Sequence, residues 1–205
     1  MPKKEVPFQQ LVEFLTANTL DLVAGFLHQH KVHLTVARER KSILGDYRHR
    51  TSHDHHRISV NGNLNSYAFL ITLLHELAHL DVFEQFGNKV VAHGKEWKSA
   101  YASLLSNFIQ KKIFPADIET ALKSSLKNPA ASSCAEDDLL RVLRKYDDAR
   151  ATHRLVEEVP LNGLFKTSDG RIFRKGEKMR KRFKCFDMTS KRIYLFSPVY
   201  EVEIV

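Results

Sequence analysis

The feature that most constrains this chain is an H-E-x-x-H motif at residues 75–79, inside a strongly apolar run. The run leaves almost no polar face, so it predicts a helix over about 67–86 that is buried nearly all round. Residues four apart lie on nearly one face of a helix, so His75 and His79 can both present an imidazole nitrogen to one metal ion. Glu76 falls where its carboxylate can reach a metal-bound water. A zinc hydrolase requires this arrangement.

The competing interpretation is that both histidines are ordinary core residues and that Glu76 is a solvent-exposed helix charge. In a helix that is apolar on every side, these groups would be buried without partners. Each unpaired polar group would then cost roughly 1–3 kcal/mol. A metal removes that cost, so the motif and its apolar context together favour a metal site.

A zinc site of this kind needs a third protein ligand. The extended pattern H-E-x-x-H-x-x-G-x-x-H is excluded, because this chain has Val82 and Gln85 where the pattern requires glycine and histidine. His93 and Glu96 are the two alternatives, and both precede or begin a second predicted helix. That helix is indicated by an apolar stripe of 3.6-residue period, formed by Trp97, Ala100, Tyr101, Leu104, Leu105, Phe108 and Ile109.

The motif H-E-L-A-H at 75–79, followed by H-G-K-E-W at 93–97, resembles the SprT-like (Spartan-type) zinc metalloprotease family. The segments L-G-D-Y-R at 44–48 and I-S-V-N at 58–61 are also similar to the strands that precede the active-site helix in that family. The resemblance covers about residues 5–112, and its two-part zinc motif is specific.

The resemblance implies one Zn²⁺ ion, with His93 as the third ligand and Glu96 as a helix-start residue. It also implies a zinc-dependent endopeptidase in which Glu76 is the general base, acting on DNA-associated or DNA-crosslinked proteins. The alternative is a non-proteolytic DNA-binding module with a structural zinc. The group that stabilises the oxyanion stays open between Tyr47 and Tyr101.

Composition restricts the compartment and the partners. The chain contains no apolar run long enough to span a membrane and no visible secretion signal, so we expect no membrane partner. Cys134 and Cys185 are its only cysteines, which favours a reducing cytoplasm over a disulfide framework. Cys134 has no visible partner and is expected to be inert. The net charge of +8 is compatible with an acidic polymer such as DNA.

The predicted fold class is α+β, with a zincin-like metalloprotease domain over residues 1–150 and a small antiparallel β-hairpin unit over 155–205. In the first domain, residues 6–30 predict one or two helices, and three strands follow. We expect 58–61 to be the edge strand that pairs with an extended substrate. Residues 113–150 predict a helical extension.

Two details of the helical extension follow from its sequence. Residues 128–133 form a connector between its two helical parts. Ser133 and Glu136, three residues apart, predict a capping box at the start of the next helix.

The β unit has two features of functional interest. Cys185 lies in a segment resembling one knuckle of a zinc ribbon, but Met188 replaces the second cysteine, so the unit resembles a degenerate ribbon that has lost its zinc. Eight basic residues lie close together against a single acid, Glu177, and interleaved aromatics predict a surface that tracks a phosphate backbone. These residues, called the basic arm below, are Arg171, Arg174, Lys175, Lys178, Arg180, Lys181, Arg182 and Lys184.

Overall fold

The fold is α+β, as predicted, and the chain divides into two compact units, Met1–Asp147 and Asp148–Val205. The computed structural model describes residues 8–16, 18–40, 42–51, 54–127, 129–147 and 153–205. Val6 of the predicted N-terminal helices and Asn128 of the predicted connector lie outside these ranges. Residues 148–152 do so as well, so the predicted domain boundary between 150 and 155 stays a prediction.

The first unit consists of helices around a small sheet. It begins with a short 3₁₀ helix, Phe8–Glu13. Its other elements are α1 (Leu20–Gln29), β1 (Val32–Ala37), β2 (Gly45–Arg48), β3 (His56–Asn61), α2 (Ser66–Phe86), α3 (Lys95–Gln110), α4 (Ala116–Ser125), α5 (Asp137–Leu143) and a 3₁₀ turn, Arg144–Tyr146.

The strand order in the first unit is β1-β3-β2, with β3 parallel to β1 and antiparallel to β2. The prediction that 58–61 forms the edge strand is therefore wrong, because β3 lies in the centre of the sheet. Ser59 and Asn61 are buried there, and the guanidinium of Arg40 donates to both side chains, at 3.0 and 2.7 Å. These bonds satisfy polar groups that the sequence alone places in solvent.

Helix α2 carries the H-E-x-x-H motif through the core. Asn65 caps its N-terminus, since the Asn65 side chain accepts hydrogen bonds from the backbone N–H groups of Tyr67 and Ala68. The helix ends at Gly87, whose φ of 61° is a left-handed conformation that glycine adopts without strain. Most of its residues are buried, as the all-round apolar sequence predicts.

Helix α3 packs against α2 through the predicted stripe. Trp97, Tyr101 and Leu105 of that stripe are buried, and α3 begins directly after His93 and Gly94. The first turn of α3 therefore starts beside the motif helix, where a third ligand is needed.

The second unit is a six-stranded antiparallel sheet in the order β4-β9-β5-β6-β7-β8. Its strands are β4 (His153–Leu155), β5 (Leu164–Lys166), β6 (Ile172–Met179), β7 (Arg182–Asp187), β8 (Ile193–Phe196) and β9 (Glu201–Ile204). One face packs over a small core that includes Phe165, Phe173 and Val202. Among the described residues of either unit, no helix combines the length and the apolar composition needed to cross a membrane.

Candidate metal centre and active site

Helix α2 presents His75 and His79 on one face, one turn apart. The His75 side chain is buried and that of His79 is half-buried, and their ring centroids lie 5.1 Å apart. This pairing follows from the helical i, i+4 spacing alone, which is why the sequence predicts it.

His93 reaches the same point from the turn between α2 and α3. Its φ of 57° is unusual for a residue with a side chain. The turn is tight, because the N–H of Gly94 donates to the carbonyl of Val91 at 2.9 Å, and a Cβ on Gly94 would lie only 2.9 Å from that carbonyl oxygen. The turn thus directs the His93 imidazole back toward α2.

The three imidazoles converge through their Nε2 atoms. Nε2 of His93 lies 3.2 Å from Nε2 of His75 and 3.0 Å from Nε2 of His79. A tetrahedral ion with ligand distances of ~2.0–2.1 Å holds two nitrogens about 3.3 Å apart, so the spacing fits a single ion. Within the described part of the chain, His75, His79 and His93 form the one group of three or more His, Cys, Asp or Glu residues whose ligand atoms lie close enough together to hold a metal ion.

The protonation state of the three histidines suits metal binding. Burial, and to a smaller extent the neighbouring imidazoles, together lower the pKa of His75 to about 3 and that of His79 to about 4. Burial also lowers the pKa of His93. All three rings are therefore neutral at pH 7, which is the form that binds a metal.

Aromatic rings and two unpaired nitrogens lie around the metal centre. The Trp97 ring centroid lies 4.6, 5.4 and 4.7 Å from those of His75, His79 and His93, so the indole covers one side of the cluster. Nε1 of Trp97 is buried without a hydrogen-bond partner among the described residues, and so is Nδ1 of His75, the second ring nitrogen of that histidine. Metal-binding histidines usually donate this second N–H to a carboxylate or carbonyl, and this site departs from that pattern.

Glu76 is buried at the edge of the same site. Burial and, less strongly, the nearby Asp46 raise the pKa of its carboxyl, the guanidinium of Arg40 opposes both effects, and the net result is a pKa of about 8. Gly45 of β2 lies directly against this carboxylate. A Cβ on Gly45 would be 2.5 Å from Oε1 of Glu76 and 2.8 Å from Cγ2 of Thr72, so only glycine leaves room for Glu76 here.

The metal centre opens into a pocket of about 400 Å³, within the size range of ligand sites. Residues 42–47 contribute from β2 and the segment before it, and 131–133 contribute from the loop between α4 and α5. His75, Glu76, His79 and His93 complete the lining. Sequence reasoning missed Gly45, Arg40 and the 131–133 loop as parts of this site. Of these, only the glycine at the start of a short strand is a signal that could have been noticed.

The other residues predicted for this site differ in whether they reach the metal centre or the pocket. Glu96 is not in the metal-binding group, whereas His93 is. Tyr47 lines the pocket, but its hydroxyl lies 2.8 Å from Nδ1 of His56 and is engaged there. Tyr101 stacks on Trp97 and is buried away from the pocket lining. Tyr101 is therefore not placed to stabilise an oxyanion, whereas such a role for Tyr47 stays a prediction.

The basic arm is exposed except at one position. Lys175 is buried, and its ammonium donates to the carbonyls of Glu157 at 2.9 Å and Val159 at 2.5 Å. The assignment of Lys175 as a phosphate contact is therefore wrong, because its charge already holds a turn of the β unit. Arg171 is exposed but paired with Asp169 at 2.8 Å. The other six side chains are exposed on the surface.

The β unit offers no metal-binding group of three or more ligands within its described residues 153–205. Cys185 is buried in the small core of that unit, and burial raises the pKa of its thiol. Its burial among apolar side chains is consistent with a packing role, and the likeness to a zinc ribbon stays a prediction.

Comparison with known proteins gives one match. A family model described as the SprT-like family matches residues 8–119, which is more than half of the chain. No curated protein and no solved structure matches the chain. The matched segment includes β2, the motif helix and His93, but it ends before the 131–133 loop.

Proposed function

We propose, from the premise that this chain belongs to the SprT-like family, that it is a zinc-dependent endopeptidase with a zincin-like first unit. That family is associated with metallopeptidase-like activity. His75, His79 and His93 would hold the ion. The observation that carries the proposal is the convergence of three neutral imidazole nitrogens beside a buried carboxylate in an open pocket.

A zinc ion bound there would lower the pKa of a coordinated water and polarise the scissile carbonyl. The positive charge of a zinc ion held there would favour the ionised form of Glu76, whose pKa burial raises. As a carboxylate, Glu76 acts as the general base: one oxygen takes the proton of the attacking water and later delivers it to the leaving amine nitrogen. Because Gly45 has no side chain, it leaves the space that the Glu76 carboxyl occupies in this position. Trp97 and the buried face of α2 exclude solvent from the other side of the cluster.

Strand β2 supports binding of an extended peptide. The N–H of Asn61 donates to the carbonyl of Leu44, opposite in the register, so hydrogen-bonded pairs alternate from there along β2 and β3. The backbone groups of Gly45 and Tyr47 consequently face away from β3, toward an edge with which no other described strand pairs. A substrate strand can add to this edge with little regard to its sequence.

The test is the Glu76→Gln variant, compared with wild type in zinc content and in cleavage of casein and a peptide library. We expect one zinc per chain in both proteins and a loss of at least 10²-fold in cleavage by the variant. Glu13→Gln, on an exposed glutamate, is the matched control and should cleave like wild type. Cleavage by Glu76→Gln at the wild-type rate would contradict the assignment of the base.

The same experiment separates the alternative, a non-proteolytic DNA-binding module with a structural zinc. A structural site is closed by four protein ligands, whereas the group here offers three among the described residues. If the wild-type protein binds zinc and cleaves no protein, with or without DNA, the alternative is favoured.

We further propose that the substrates are proteins associated with or crosslinked to DNA, and that the β unit contacts the DNA. Arg174 and Lys184 project from one face of neighbouring strands, together with Phe186, whose ring lies under the Arg174 guanidinium at 5.5 Å. Exposed cations with interleaved aromatic rings suit a nucleic-acid backbone and its bases.

DNA binding through this face predicts a strong dependence of affinity on salt. Each phosphate contact contributes about −0.9 to the slope of log K against log salt. The double variant Arg174→Gln/Lys184→Gln should lower the magnitude of the slope by about 2, whereas Lys95→Gln, on an exposed lysine of the first unit, should leave it unchanged. A flat salt dependence of the wild-type protein would remove the proposal.

A further inference from the structure

One wall of the active-site pocket lies outside the segment that matches the family. Ala131, Ser132 and Ser133 line the pocket together with Glu76 and the metal-binding histidines. The family match ends at residue 119, so the family resemblance does not account for this wall. We call residues 131–133 the 131–133 loop.

The 131–133 loop is held in place from its C-terminal side by Glu136. The Glu136 carboxylate accepts hydrogen bonds from Oγ of Ser125 at 2.5 Å and from the backbone N–H of Ala130 at 3.0 Å. These two bonds join the end of α4 to both ends of the loop. The loop is therefore fixed by short polar contacts.

Cys134 fixes the loop against the motif helix. Its side chain is buried, and its Sγ lies 3.9 Å from both Oγ1 of Thr72 and the carbonyl oxygen of Ala68. Cys134 has a φ of 56°, a backbone conformation that is energetically unfavourable for any residue with a side chain. The surrounding packing must offset this free-energy cost. Thr72 and Glu76 are four residues apart on α2, so the loop rests beside the face that carries the base.

This part of the pocket is lined by short side chains together with two large apolar ones. Ala131, Ser132 and Ser133 extend at most one heavy atom beyond Cβ. Ile43, which is 44% exposed, and Leu44 line the same pocket. A large apolar side chain left exposed at the rim of a pocket is a typical feature of a binding surface.

We propose that the 131–133 loop, with Ile43 and Leu44, forms a subsite that binds a large apolar side chain of an extended peptide substrate. The inference rests on the proposed peptidase function, because the peptide would lie between this wall and the free edge of β2. The loop thus determines which residue is accepted near the scissile bond, and it acts on size and polarity.

The test compares wild type with Ser132→Trp in cleavage of peptide pairs that differ by Phe or Ala at one position, scanned across four positions on each side of the bond. Wild type should prefer Phe at one position. Filling the subsite with Trp should reduce the ratio of Phe-peptide to Ala-peptide cleavage about tenfold or more, whatever the change in the overall rate. Ser124→Trp, on an exposed serine of α4 outside the pocket, is the matched control.

Two further measurements separate the inference from the peptidase proposal. Binding of the same labelled peptides to Glu76→Gln and to Glu76→Gln/Ser132→Trp, by fluorescence anisotropy, reports the subsite without catalysis. Ala131→Phe fills the same wall from a neighbouring position and should reduce the preference in the same direction.

The outcomes are distinguishable. If wild type cleaves peptides and both filling variants keep its Phe-to-Ala ratio, the subsite is overturned while the peptidase proposal stands. If nothing is cleaved, the peptidase proposal fails. In that case a Phe preference in binding that Ser132→Trp abolishes supports the subsite, and equal binding of both peptides by all forms overturns it.

Discussion

Gly45→Ala is the substitution with the largest expected effect for the smallest chemical change. The added Cβ would lie 2.5 Å from Oε1 and 2.9 Å from Cγ of Glu76, whereas ordinary contacts begin at about 3.4 Å. The strand or the carboxylate must therefore shift by about 0.9 Å. Gly45 does not have a positive φ, so its requirement is steric rather than conformational.

A displacement of this size acts mainly on the rate. A misplacement of about 1 Å in a reacting group costs on the order of 10²-fold, so we expect kcat to fall about 100-fold. The atoms nearest the added Cβ belong to Glu76 and Thr72 and not to a metal ligand, so zinc content should stay at one per chain. Overpacking of this kind also costs about 1–3 kcal/mol of stability, which thermal unfolding would detect.

The assay is steady-state cleavage of a fluorogenic peptide by four proteins: wild type, Gly45→Ala, Glu76→Gln and the double variant. If Gly45 acts through Glu76, adding Gly45→Ala to Glu76→Gln costs little further activity, because the two effects are not independent. Gly25→Ala is the matched control, since nothing lies within 4 Å of the Cβ it would add. Wild-type kcat in a zinc-loaded Gly45→Ala protein would refute the reasoning.

Three other predictions concern the third metal ligand, the buried thiol of Cys134 and the buried ammonium of Lys175. His93→Ala should lower the zinc content below one per chain in metal analysis, whereas Glu96→Ala should keep it at one. A chelator should lower the melting temperature of the wild-type protein, because a bound metal stabilises only the folded state. Burial raises the pKa of Cys134 to about 12, so less thiolate is present at pH 8, and alkylation followed by mass spectrometry should be at least about 100-fold slower in the native than in the unfolded protein. Lys175→Ala removes the ammonium donor from the buried carbonyl of Val159 and the partly buried carbonyl of Glu157, and it should destabilise the β unit by about 1–3 kcal/mol in urea unfolding.

The parts of the site that depend on local geometry were predictable. The spacing of His75 and His79 is set by the helical repeat, and the apolar run that carries them predicts a buried helix whatever packs around it. The stripe on α3 is local in the same sense. His93 was one of two alternatives from the sequence, and the choice between them required the resemblance, because the turn that directs it depends on a left-handed backbone at a residue other than glycine.

The parts that depend on pairing between distant segments were not predictable. β3 reads as an alternating strand with polar residues on one face, but Arg40 satisfies Ser59 and Asn61 inside the sheet, so the polar positions are buried. β2, with the sequence G-D-Y-R, has little strand signature of its own and nevertheless forms the edge. Strand order is decided by such long-range bonds, which leave no local pattern.

The predicted capping box fails for a related reason. Ser133 and Glu136 have the right spacing, but α5 begins at Asp137, and the Glu136 carboxylate accepts from Ser125 and Ala130 instead. A carboxylate near a helix start can satisfy either its own helix or a neighbouring segment. Here the bonds to α4 and to the loop compete successfully, and they hold the wall of the pocket.

The metal-binding residues and the residues that line the walls around Glu76 should differ in their effects on function. The three imidazoles define the ion, so changes to them lower metal content and activity together. Gly45 and the 131–133 loop contact the space around Glu76 without supplying any atom to the metal group, so changes to them should alter rate or selectivity at full metal content. Both walls lie near the base, because Gly45 is against Glu76 and Cys134 contacts Thr72, about one helical turn away on the same face of α2. A protein with this motif helix but a different strand edge and loop should therefore bind the same ion and prefer a different peptide.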